Sequence, residues 1–161
     1  MTEKEIWSKI VEEANSIIGS ERLSESYIKK FVIDFEKLSE VVAFKISNDL
    51  GNKDADEIFS IDFIFSELKE VFKDEKIIDG LVLDLHAVKQ RDPAASGYLP
   101  TLLFSKGFLA LQTHRASNYF LNSKESLMAS FLHSQSSKLY GVDIHPAASI
   151  GVGVMLDHAT G

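Results

Sequence analysis

The chain has 161 residues with 24 acidic against 17 basic side chains, a formal net charge of −7. That balance repels polyanions and argues against generic nucleic-acid binding, so a small-molecule or protein partner is expected. With 45% hydrophobic residues and eleven Phe the composition is globular, and cysteine is absent, which excludes a disulfide framework, a thiolate zinc site and a Cys nucleophile.

At this length the chain can hold one domain, or one domain and the start of a second. Residues 1–10 alternate charged and apolar side chains, and no apolar run approaches a signal h-region or a membrane span. Cytoplasmic residence without membrane association is the default.

In chain order, Thr2 and Glu5 have the spacing of a capping box, and Ile6, Ile10, Val11, Ala14 and Ile17 share one helical face. A first helix is expected over 3–18. Ser24 and Ser26 can cap a second through Tyr27, Phe31 and Val32, and the pattern leaves open a break before Phe35, Leu38, Val41, Val42, Ile46 and Leu50. Gly51 is a natural stop, and 51–56 reads as a turn. Ile58, Phe59, Ile61, Phe65, Leu68, Val71 and Phe72 again have helical spacing, and Leu81, Leu85 and Val88 stripe a helix over 76–90.

Residues 91–100 hold two of the three prolines, Pro93 and Pro100, and read as an ordered turn. Beyond it Leu102, Leu103, Phe108, Leu109 and Leu111 begin a helix that tolerates Gly107 and runs towards Leu121. A last helix over 124–140 carries Leu127, Met128, Phe131 and Leu132 and ends at Gly141.

Composition shifts at Gly141. Ile144, Ile150 and Leu156 recur every six residues, with Ala148, Val154 and Thr160 four places after each. The tail therefore parses as three hexads, 144–149, 150–155 and 156–161, the length of one coil of a parallel β-helix. The expected fold is mainly α: a multi-helix amino-terminal domain over 1–141, then over 142–161 the first coil of a left-handed parallel β-helix. A single coil leaves its strand edges unpaired. The tail from Asp143 is thus expected to be weakly held or stabilised by another chain.

Three motifs carry a resemblance: D-L-H-A-V-K-Q-R-D-P-A at 84–94, K-G-F-L-A-L-Q-T-H-R at 106–115, and D-I-H-P-A-A-S-I-G-V-G-V-M-L-D-H-A-T-G at 143–161. The sequence resembles the serine O-acetyltransferases of bacterial and plant cysteine biosynthesis, members of the hexapeptide acyltransferases. The resemblance implies transfer of acetyl from acetyl-CoA to the L-serine hydroxyl, with acetyl-CoA as co-substrate and no bound cofactor or metal. It implies His158 as catalytic base and Asp143 as its carboxylate partner, with Asp92, Pro93 and Asp157 as part of the serine pocket. The two dyad positions are 15 apart, three short of a coil, so they can lie near one another on successive levels.

It also implies assembly through the helical domain into trimers or dimers of trimers. Further coils would hold the acetyl-CoA groove and an Arg-His pair for the serine carboxylate, followed by a tail that docks into O-acetylserine sulfhydrylase. The sequence stops before these features and reads as an amino-terminal portion truncated after the first coil.

An alcohol attacking a thioester needs a base with a pKa near 7, which histidine supplies, and a carboxylate on its far nitrogen fixes the tautomer. Direct attack by serine is the simplest route, with Ser149 and Thr160 as alternative nucleophiles. Asp143, His145, Asp157 and His158 lack the spacing of a metal site. His86, His114 and His133 read as packing or surface residues on helices. The alternative function is a free-standing helical oligomerisation module without catalysis.

Overall fold

The structure, a computed structural model, describes residues 1–53 and 59–159. Helix α1 (Glu3–Ile17) starts with the expected capping box: Thr2 Oγ1 accepts from the Glu5 amide, and Glu5 Oε2 accepts from the Thr2 amide at 2.6 Å. Ile6, Ile10 and Ala14, four apart, are fully buried.

Helix α2 (Glu25–Ile28) runs into a π-helical turn over Lys29–Ile33, and the chain breaks before α3 (Leu38–Leu50). The break left open by the pattern is therefore present. Phe35 packs beside it on Phe44 and Phe65. The expected serine caps are not made, since Ser24 precedes α2 but its hydroxyl donates to Glu21. Helix α4 (Ile61–Val71) is capped by Ser60, whose Oγ accepts from the Phe63 amide. Ile58 and the end of the expected turn, 54–56, lie outside the described residues.

Helix α5 (Glu75–Arg91) is capped by Asp74, which accepts from the amides of Lys76 and Ile77. The turn expected over 91–100 is shorter, because α6 (Tyr98–Phe104) begins inside it, with Pro100 in a first turn where a missing amide costs nothing. Its cap is borrowed from α1: Glu13 accepts from the amides of Tyr98 (3.1 Å) and Leu99 (2.7 Å). A Cβ at Gly97 would stand 2.5 Å from that carboxylate, so a side chain there would push the Glu13 cap aside.

The single helix expected from Leu102 is divided at Ser105, which caps α7 (Lys106–Asn122) by accepting from the Phe108 amide. Helix α7 is buried on nearly every side, from Gly107 to Phe120, as befits the central helix of a bundle. It packs along α8 (Ser126–Tyr140), which ends as expected at a left-handed Gly141 with φ of 71°.

The described residues are thus mainly helical. In 142–159 no β-strand is formed, and the one bridge among the described residues joins Asn52 to Ser60. Several backbone groups of this segment bond to helix side chains instead of a neighbouring strand. It still returns on itself after eighteen residues, since the Ala159 carbonyl lies 3.9 Å from where a Gly141 Cβ would stand. Thr160 and Gly161 of the third hexad lie outside the described residues. No helix among the described residues is long and apolar enough to cross a membrane.

Candidate active site

The tail is positioned by one buried carboxylate. Asp84, on the inner face of α5, is fully buried. Its Oδ2 accepts from Arg115 Nε at 2.8 Å and from Gln112 Nε2 at 3.0 Å, both on α7. Its Oδ1 accepts from the Val154 amide of the tail at 2.9 Å. Arg115 then reaches outward, donating through Nη2 to the Gly151 carbonyl at 2.7 Å. Gly80 makes room for it, as a Cβ there would lie 3.0 Å from the guanidinium carbon.

Arg91 donates to the Gly153 carbonyl at 2.8 Å, and Asn118 Nδ2 to that of Pro146 at 2.7 Å. The sequence reading sought the tail's partners in stacked coils or another chain. Helices α5 and α7 of the same chain are partners it did not foresee.

This docking brings Met155 to His158 over the end of α5 and the α6–α7 junction, enclosing a cleft of about 250 Å³. Asp92, Ser105, Lys106, Gly107, Asp157 and His158 line it. Gly107 decides how closely the walls approach: a Cβ there would sit 3.0 Å from Leu156 Cβ and nearer still to the Leu156 carbonyl. Asp92 caps α5 with its amide while its Oδ1 accepts from the Ala94 amide at 2.8 Å. The turn role and the cleft position therefore coexist, and Pro93 lies in that turn.

His158 (φ 52°) and Ala159 (φ 46°) are consecutive non-glycine residues in the left-handed region. Such backbone is costly and concentrates at functional sites. The His158 side chain is 88% exposed, with Nε2 3.7 Å from Asp157 Oδ1.

Asp92, Asp157 and His158 are thus gathered at one cleft, with Pro93 beside it. Asp143 is not among the residues lining it. Its carboxylate is bonded to His133 Nε2 of α8 at 2.5 Å, at the start of the segment whose other end carries His158.

His114 of α7 is 5% exposed with Nδ1 unpartnered, and burial holds its pKa below the ordinary value, against the raising effect of a hydrogen bond with the Ala148 backbone, in which the ring donates. The unfolded chain then binds the proton first, so stability is full above about pH 6.5 and falls as pH drops through that value. Urea midpoints should decline from pH 7.5 to 5.5 in the wild type, and decline less in His114→Gln. Equal declines would remove His114 as the cause.

A family model described as serine acetyltransferase, N-terminal, matches residues 6–113. The chain belongs to the serine acetyltransferase family. It is 37% identical to the serine acetyltransferase of Buchnera aphidicola subsp. Schizaphis graminum, covering 100% of this chain and 60% of that one. Against the Escherichia coli K12 enzyme identity is 35%, covering 97% and 56%.

Among solved structures, Neisseria gonorrhoeae serine acetyltransferase in complex with serine superposes with a TM-score of 0.91 at 36% identity, covering 97% of this chain and 64% of that one. A serine acetyltransferase in complex with CoA gives 0.92 at 33%, covering 100% and 67%. The chain thus spans about three fifths of the length of the serine acetyltransferases it matches.

Within this family member, sequence reasoning missed Asp84, Arg115 and His133. For the first two a signal existed. Asp84 interrupts the apolar stripe of α5 between Leu81 and Val88, and a charge on a buried face requires a partner.

Proposed function

We propose that this chain carries the helical part and the catalytic corner of a serine O-acetyltransferase, which moves acetyl from acetyl-CoA to the L-serine hydroxyl to give O-acetylserine for cysteine biosynthesis. The observation that carries the reading is the cleft collecting Asp92, Asp157 and His158 in a member of this family. Relatives in complex with serine and with CoA support both substrates.

In the proposed reaction His158 removes the hydroxyl proton as serine Oγ attacks the thioester carbonyl, and the tetrahedral intermediate expels the CoA thiolate, which takes that proton. Asp143 stabilises the imidazolium formed on the way. Asp92 and Asp157 offer carboxylates to the serine ammonium group, with Pro93 stiffening the turn that aims Asp92.

The same reading divides the chain into a helical assembly domain over 1–141 and the opening coil of a left-handed β-helix over 142–161. The eighteen-residue return from Gly141 to Ala159 supports that coil. Stacking a further coil would convert the unpaired tail into a strand layer. Homo-oligomerisation, docking to O-acetylserine sulfhydrylase and a cytoplasmic location complete the proposal.

The test is thiol release from acetyl-CoA with and without L-serine. Serine-dependent release should fall about 10²–10⁴-fold in His158→Ala, the worth of a general base. Release that is independent of serine, or unchanged in the variant, overturns the reading and favours a helical assembly module without catalysis.

A further inference from the structure

We propose that His133 is a positioning residue for the acyl transfer, holding the Asp143 carboxylate in place from α8; the proposal rests on the acetyltransferase reading above. Asp143 is 76% exposed, on a segment without strand pairing, where an acidic side chain has several rotamers open to it. Among the described residues, one side-chain hydrogen bond restrains it. His133 is itself only 27% exposed, and its Nε2 stands 2.5 Å from Asp143 Oδ1.

The arrangement follows from the end of α8. Left-handed Gly141 reverses the chain, so the residue ten positions after His133 returns to face it. The bond engages Oδ1 and leaves Oδ2 open to the imidazolium that the proposed reaction forms. Donating through Nε2–H, His133 orients Asp143 through one oxygen only, so the carboxylate can still stabilise an imidazolium.

The titratable groups around His133 are Asp143 and His145 of the tail and His114 of α7. His145 stands with its ring 6.0 Å away, edge-on, and its Nδ1 accepts from the Ala147 amide at 3.1 Å. Its Nδ1 is therefore committed to its own turn, and the bond to Asp143 is made by His133. His114 is buried and turned to the Ala148 backbone. Neither displaces His133 from the carboxylate.

The experiment compares wild type, His133→Leu, His133→Gln, Asp143→Ala and the double variant His133→Leu/Asp143→Ala in the intact protein. His133→Leu should lower kcat about tenfold and leave KM for serine within about twofold. His133→Gln, which keeps a neutral donor, should recover most of the loss. In the Asp143→Ala background His133→Leu should cost nothing further, because a residue acting only through Asp143 has no second route.

Proton NMR of the imidazole N–H region reads the bond without turnover: a downfield resonance should vanish in both His133→Leu and Asp143→Ala. Its absence from the wild type overturns the bond. Wild-type kcat in His133→Leu, or additive losses in the double variant, overturns the positioning role. If Asp143→Ala leaves serine-dependent turnover intact, the acetyltransferase dyad itself is wrong and the role of His133 falls with it, while the resonance still reports the pair.

Discussion

Replacing Asp84 by alanine should destabilise the protein by about 3–5 kcal/mol, the usual consequence of removing one member of a buried ion pair. The loss is large because three donors depend on that carboxylate. Arg115, whose side chain is 10% exposed, and Gln112, which is fully buried, would be left in a site that water does not reach. The Val154 amide would lose its acceptor as well.

Asp84→Asn separates the charge from the shape. It keeps an acceptor for Val154 but turns an amide NH2 towards the donors of Arg115 and Gln112, so the cost should stay near that of the alanine variant, about 3–5 kcal/mol, while the tail keeps its bond. Urea unfolding gives both numbers, and hydrogen exchange at Val154 reports the tail directly. Exchange there should rise more in Asp84→Ala than in Asp84→Asn. Equal midpoints for wild type and Asp84→Ala would show that the tail and the two helices do not rely on this residue.

Gly107→Ala should reduce serine-dependent turnover by about 100-fold with little loss of global stability. Helix propensity taken alone predicts a gain of about 1 kcal/mol, since alanine is the better residue within a helix. The structure opposes that gain. A Cβ at position 107 meets the Leu156 backbone, so residues 155–158 must retreat from α7, carrying Asp157 and His158 with them. A displacement of about 1 Å at a catalytic group is enough to cost two decades in rate. The prediction is therefore a protein that unfolds within about 1 kcal/mol of the wild type and turns over poorly. Wild-type turnover in Gly107→Ala would mean that the cleft does not depend on the close approach.

Much of the helical architecture could be read from residue order. The Thr2 and Glu5 capping box, the stripe of Ile6, Ile10 and Ala14, the α5 stripe and the stop at Gly141 all depend on neighbours within four positions. Local geometry enforces such features. The division between α6 and α7 was less visible, because a serine in an otherwise helical pattern is a cap only if the preceding helix ends there. The cap of α6 could not have been read at all: its acceptor is Glu13, more than eighty residues earlier.

The candidate site shows the same division. The motif around Asp157 and His158, and Asp92 before Pro93, marked three residues, Asp92, Asp157 and His158, that the fold brings to one cleft. Asp84 and Arg115 lay inside the quoted motifs without a role, since their partners are 28 to 70 positions away in sequence. His133 carried no signal whatever, being one polar residue on a helix of mixed composition.

The family, the helical class and the short list of residues proposed for acyl transfer were legible in residue order, because periodicity, caps and motifs are properties of adjacent residues. How the tail is held, which carboxylate organises it, and the meeting of Asp143 with a histidine from α8 became visible in the folded chain. Those contacts join segments far apart in the chain. They form only when helix packing has removed water from Asp84 and Arg115 and brought the two ends of the tail together.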